Sequence, residues 1–170
     1  MIELELTYLA KYIPDGLLNC PAKKIIDRYL PFESSHPVLR LRKSGEKMEL
    51  TKKRLIDDID ASRQLEETIS LDIDEFEALA KLSAQIVVKT RYYYPYDGVT
   101  FEVDVFEEAL NGLVLVDIEF ENVAAKEKFK MPEFCLVEMT QDRTIAGGTL
   151  AGKKYADIKD HFEQLGYVAL

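Results

Sequence analysis

The chain has no tryptophan and only two cysteines and six prolines among its 170 residues. Cys20 and Cys135 lie far apart with no metal-ligand spacing around them. That excludes a thiolate metal site and a disulfide scaffold, and leaves two reduced bystanders. Basic residues are also in deficit, 22 Lys and Arg against 31 Asp and Glu, for a net charge of −9. An acidic balance excludes non-specific binding to nucleic acid or to an anionic membrane surface, both of which need a cationic face. No apolar run approaches the ~20 residues of a membrane-spanning helix. Glu3 and Glu5 also stand where a secretory signal would need its apolar stretch. The expectation is a cytoplasmic protein, monomer or homodimer, with one domain over residues 1–170 and a C-terminal helical extension at 150–170.

What the chain does have is alternation. Ile2 to Leu9 reads IELELTYL, with Ile2, Leu4 and Leu6 on one face and Glu3, Glu5 and Thr7 on the other. A period of two is that of a strand, and it sets the two carboxylates ~7 Å apart. Further strands are expected at Lys24 to Leu30, at VLRLRKS from Val38, and at Lys47 to Lys53 after the Ser44-Gly45 turn. An acidic connector, Leu55 to Ala61, leads to a strand from Gln64 to Leu71. Ile86 to Tyr94, Thr100 to Phe106 and Leu113 to Glu121 follow, with Asp97-Gly98 and Asn111-Gly112 as hairpin signals. Helical periodicity is confined to Asp72 to Leu82, Val123 to Phe129 and Lys154 to Leu165. Asp72 with Glu75 makes a capping box for the first, Asn122 starts the second, and Gly147-Gly148 and Gly152 break the chain before the third. His36 reads as structural, and His161 falls on the polar side of the last helix, facing solvent. This is an α+β chain with about eight antiparallel strands, enough to close a barrel that holds one small ligand.

The sign of the charged face changes from strand to strand. Glu3 and Glu5 are acidic, Arg40 and Arg42 basic, Glu49 and Lys53 mixed, and Glu66 acidic. Lys89 and Arg91 are basic, and Glu102 with Asp104, then Asp117 with Glu119, are acidic. An open sheet with one solvated charged face satisfies this pattern. So does a closed barrel with paired charges inside and helices over an apolar exterior. Patterning alone leaves both open.

The motifs IELEL, LRLRK, LTKK, SRQLEE, VVKTRYYY, FEVDVF and LVLVDIEFE, in this order, resemble the CYTH superfamily, or triphosphate tunnel metalloenzymes. The resemblance covers roughly residues 1–145. It implies an eight-stranded antiparallel closed β-barrel, a tunnel with covering helices, and metal-dependent hydrolysis of a small-molecule triphosphate. That substrate is inorganic tripolyphosphate or a nucleoside or other organic triphosphate. By the same resemblance Arg40, Arg42, Lys53, Lys89, Arg91 and Arg143 hold the triphosphate. Glu3, Glu5, Asp117 and Glu119 hold Mg²⁺ or Mn²⁺, and Glu5, Glu102 and Asp104 are the catalytic candidates. The chain departs from the family pattern at Thr7, where the family has Lys, at Thr68 for an acid, and in QDRTIAGG, which keeps only Asp142 and Arg143. A weakened phosphate-binding module and, below it, a class IV adenylyl cyclase are the alternatives.

The chemistry suits such a lining. Phosphoryl transfer spreads charge over the equatorial oxygens, so positioning and electrostatic stabilisation carry most of the catalysis. Arg adds a bidentate grip on phosphate, and a hard cation takes oxygen ligands from one or two carboxylates.

Overall fold

A computed structural model describes residues 2–56 and 60–170, so part of the expected connector between Leu55 and Ala61 lies outside the described residues. The alternating segments form strands β1 (Ile2–Ala10), β2 (Ala22–Leu30), β3 (Leu39–Ser44), β4 (Lys47–Leu55) and β5 (Arg63–Ser70). They continue as β6 (Gln85–Tyr96), β7 (Val99–Phe106), β8 (Val114–Glu119) and β9 (Cys135–Glu138). The pairing order is β5-β4-β3-β2-β6-β7-β8-β1-β9, and β5 also pairs with β1, so the first eight strands close into an antiparallel barrel. β9 was not expected; it is four residues long and borrows the edge of β1 that β5 leaves free. Ile2 to Leu4 pair with β5 and Tyr8 to Ala10 with β9. Between them Glu5 N donates to Ser62 O (3.1 Å), and Met139 N to Thr7 O (2.7 Å).

The turns follow from local chemistry. Asp97 (φ 49) and Gly98 (φ 77) both take the left-handed conformation that a two-residue hairpin of type I′ requires, and Tyr96 faces Val99. Asn111-Gly112 does something else. Residues 107–113 form a longer loop with a 3₁₀ turn at Glu108–Leu110, and Asn111 (φ −53, ψ 133) with Gly112 (φ 101) closes it as a type II turn.

Because strands alternate, the barrel has two apolar layers. Outside it, Tyr8, Phe101, Val103, Val116, Ile118 and Phe134 form one cluster, joined by Phe129 from beyond helix α2 (Val123–Lys128). The inward-facing Leu9, Tyr29, Val87, Phe106 and Leu115 form the other, with Leu150, Ile158, Phe162 and Tyr167. Helix α4 (Tyr155–Gln164) thus fills one end of the barrel instead of covering its exterior. Helix α1 (Ile73–Ala80) has the expected capping box, Asp72 N donating to Glu75 Oε2 (2.9 Å), yet buries no residue. Its last turn is tied to the barrel by Arg28 Nη2, which donates to Ala80 O (2.9 Å).

Gly147 and Gly148 do not simply break the chain; they begin the short helix α3 (Gly147–Leu150), which packs at the filled end. A Cβ on Gly147 would stand 1.9 Å from Tyr29 Oη, and one on Gly148 2.1 Å from Pro37 O. The second neighbour is backbone and cannot swing away. Gly148→Ala is therefore expected to cost about 1–3 kcal/mol by overpacking. Thermal unfolding measures this, and an unchanged Tm would show that the turn is not held against Pro37.

Candidate active site

The inward faces of the strands enclose a cavity of about 1160 Å³, lined by Glu3, Glu5 and Thr7 of β1 and their counterparts around the barrel. Arg40, Arg42, Lys53, Lys89, Arg91, Asp104, Asp117, Glu119 and Arg143 all line it. Glu102 joins through an ion pair with Arg91 Nη1. The open-sheet alternative is thereby removed. Period-two alternation and ring closure bring together side chains more than a hundred positions apart.

Register decides which charges meet. Asp27 stands across from Arg42, Lys53 from Glu66, and Arg91 from Asp104. On the other side of the ring, however, β7, β8 and β1 are acidic neighbours. Glu102 faces Asp117, and Glu5 faces Glu119. The cavity has a basic wall at β3 and β6 and an acidic wall between β7 and β1. Like charges directly opposite each other are unfavourable, and burial makes them more so. Burial, then Asp117, pushes the Glu5 carboxyl up to about 8. Burial raises Asp117 and Glu119 as well, with Asp104 adding to the first and Glu102 to the second.

Elsewhere the charges are spent on one another. Asp104 is fully buried and accepts from Arg91 Nε and Nη2 (2.7 Å each) and from Lys89 Nζ. Burial would raise this carboxyl, but the Arg91 and Lys89 charges overcome it and hold it well below the carboxylate range. In the free cavity Asp104 is the counter-ion that orients Arg91 and Lys89. Glu102 is likewise engaged by Arg91. Lys53 Nζ reaches Glu3 Oε2 (2.5 Å) and Glu66 Oε2 (3.2 Å). Burial alone would lower the Lys53 ammonium, but Glu5 and Glu3 outweigh it and raise it. Arg143 is exposed and sits in a 3₁₀ turn, Arg143–Ile145, at the cavity edge.

Sequence reading missed Asp27, which is 1% exposed and takes Arg42 Nε and Nη2 on its two oxygens (2.6 and 2.7 Å). It also missed how the 140–150 segment borders the cavity. Thr140 Oγ1 accepts from Thr7 N (3.1 Å), and Thr149 Oγ1 lies 2.8 Å from His36 Nδ1. His161 does not simply face solvent: its Nε2 lies 2.6 Å from Asp142 Oδ2, linking α4 to that segment. Cys20 and Cys135 are unpaired, and burial pushes the Cys135 thiol up to about 12.

The chain is 35% identical over 153 residues to the inorganic triphosphatase of Nitrosomonas europaea, spanning 89% of this chain and 97% of that protein. The chain belongs to the triphosphate tunnel (CYTH) family. A solved structure of an inorganic triphosphatase matches with a TM-score of 0.63 at 32% identity, over 88% of this chain and 93% of that one. Another, of a hypothetical protein, matches with 0.64 at 32%, over 89% and 99%. A conserved hypothetical protein from Pyrococcus furiosus, 23% identical with a TM-score of 0.50 over 74% of this chain and 82% of that one, shares the fold. No family model matches the sequence. Within this tunnel family the departure at Thr7 now has a local meaning: its hydroxyl donates to Asp117 Oδ1 (2.7 Å). A neutral donor supports that carboxylate where the family pattern has an ammonium.

Glu5 offers a direct check on the acidic wall. A carboxyl whose folded pKa lies above its unfolded value costs stability as pH climbs from its ordinary value of 4.5 toward 8. In metal-free protein Glu5→Gln should therefore match wild type near pH 4.5 and exceed it at pH 8, by roughly 1–3 kcal/mol. Unfolding followed across that range tests this, and a difference that does not grow with pH would show Glu5 to be readily ionised.

Proposed function

We propose that this chain is a divalent-metal-dependent hydrolase of a small-molecule triphosphate, inorganic or organic, working in the cytoplasm with Mg²⁺ or Mn²⁺. The observation that carries the reading is the two-walled cavity: Arg40, Arg42, Lys53, Lys89 and Arg91 on one side, Glu5, Asp117 and Glu119 on the other. The donor set of the acidic wall fits a hard cation, because its carboxyls are raised by burial and by each other. Among the described residues no group of three carboxylates, imidazoles or thiolates converges as a ready cage. One or two carboxylates, with waters and phosphate oxygens completing the shell, suit Mg²⁺ better than a cage does. Glu3, Glu5, Asp117 and Glu119 are the residues that would supply them. When bound, the cation neutralises phosphate charge and lowers the pKa of water.

The chain's own groups do the rest. Arg91 is held in one orientation by Asp104, Glu102 and Asp117, and Lys89 beside it adds a point charge. Such fixed donors stabilise charge developing on equatorial oxygens without reorganising. Arg40 is lightly committed: its one ion-pair contact among the described residues is Asp27 at 4.0 Å. In the metal-free cavity Glu5, its carboxyl raised by burial to about 8, can give or take a proton.

A weakened binding module is the second reading, favoured by Thr7, whose hydroxyl is spent on Asp117. A panel of tripolyphosphate and nucleoside triphosphates with Mg²⁺ or Mn²⁺, read by phosphate release, separates the two. Turnover is expected; binding without release would leave the module. Arg40→Ala should weaken tripolyphosphate binding by about tenfold, the worth of one charge-assisted contact, with little change in Tm. Equal affinity in calorimetry would remove Arg40 from the binding wall.

A further inference from the structure

Asp27 has no place in the scheme above, yet it sits at the centre of the basic wall. It is 1% exposed, on β2, across the ladder from Arg42 of β3. The contact is a full fork: Arg42 Nε to Oδ1 at 2.6 Å and Nη2 to Oδ2 at 2.7 Å. Arg40 Nε stands 4.0 Å from the same Oδ1 and has no hydrogen-bond partner of its own. Among the described residues Asp27 is the one carboxylate within ion-pair distance of either arginine. The other bidentate pair in the cavity is different. Arg91 on Asp104 also reaches Glu102 and Asp117, so the loss of Asp104 would leave it still among acids.

The guanidinium edge that takes a carboxylate in two parallel hydrogen bonds takes a phosphate in the same way. In the free cavity that edge of Arg42 is already filled. We propose that Asp27 is a specificity-determining residue: an internal anion that occupies the Arg42 fork and keeps small phosphates from binding there. An incoming anion must displace a buried, doubly bonded carboxylate or use the remaining donors. A single phosphate has too few other contacts to do this, whereas a triphosphate is long enough to span several cations of the cavity, among them Arg40 and Arg143, neither of which is held in a carboxylate fork among the described residues. Asp27 thereby favours the long substrate over the orthophosphate that hydrolysis releases. The inference rests on the reading of the cavity as a phosphate site.

Binding measured without metal and without turnover tests it, with inorganic phosphate and tripolyphosphate as probes in calorimetry. Wild type that binds neither would overturn the phosphate reading itself. Given a wild type that binds tripolyphosphate, Asp27→Asn should bind inorganic phosphate about tenfold more tightly, since one charge-assisted fork becomes free. A gain of less than about threefold, or a loss, overturns the role of Asp27. Removing the carboxylate charge leaves Arg42 buried without a counter-ion, so the single variant can fail to fold. The double variant Asp27→Asn with Arg42→Gln replaces the pair by neutral, similarly shaped groups, which buried pairs often tolerate. It should show no gain in inorganic phosphate binding over wild type, because the fork that Asp27→Asn frees is gone; a double variant that binds inorganic phosphate about tenfold more tightly than wild type shows that Asp27 does not act through Arg42 and overturns the proposal.

Discussion

Everything in this protein follows from turning the charged face of a closed sheet inward. A barrel has no second surface on which to shed those charges, so each must find a partner across the ladder or in a ligand. Half the ring solves this internally: Asp27 with Arg42, Lys53 with Glu3 and Glu66, and Asp104 with Arg91 and Lys89. The other half cannot, because β7, β8 and β1 are neighbours and all acidic. The excess of carboxylate at Glu5, Asp117 and Glu119 is the same fact seen three ways: raised pKa values, like charges face to face, and an oxygen-lined wall suited to a cation.

Such a lining adds little to stability, since desolvating charges offsets most of what their pairing returns. The fold is held instead by apolar layers on either side of the strands. The outer one gathers aromatic rings around Phe101, Phe129 and Phe134, with centroids 5.3 Å apart for Phe101 and Phe134. The inner one occupies the end of the barrel where inward positions turn apolar: Thr7 gives way to Leu9, Lys89 to Val87, Asp104 to Phe106 and Asp117 to Leu115. A shift of two residues along each strand separates chemistry from core. The C-terminal segment completes that core with Leu150, Ile158, Phe162 and Tyr167, so residues 150–170 are part of the barrel's packing.

Much of the cavity was legible beforehand because strand parity is a local property. Glu3, Arg40, Lys53, Lys89, Arg91 and Glu119 each sit in a segment that alternates cleanly, and each lines the cavity. Asp27 escaped because KIIDRYL does not alternate; Ile25, Asp27 and Tyr29 share a face, and only pairing with β3 and β6 reveals it. The four residues of β9 carry no periodic signal of their own. They are a strand because β1 has an open edge beyond β5. Asn111-Gly112 carried the local chemistry of a tight turn, but the loop between β7 and β8 is longer, and the dipeptide serves there as a type II turn.

By itself, then, the amino-acid sequence determined which side chains share a face and which strands carry which sign, because a period of two needs no knowledge of neighbours. With the family motifs it also determined that the sheet closes. What only the tertiary structure decided is which charges are free to act. That depends on register between distant strands, which made Asp104 a counter-ion and gave Thr7 to Asp117. Register also filled the fork of Arg42 with Asp27, left Arg40 nearly uncommitted, and set Glu5 against Glu119. Charges separated by dozens of residues interact through space at a few ångströms, and no local pattern records that distance.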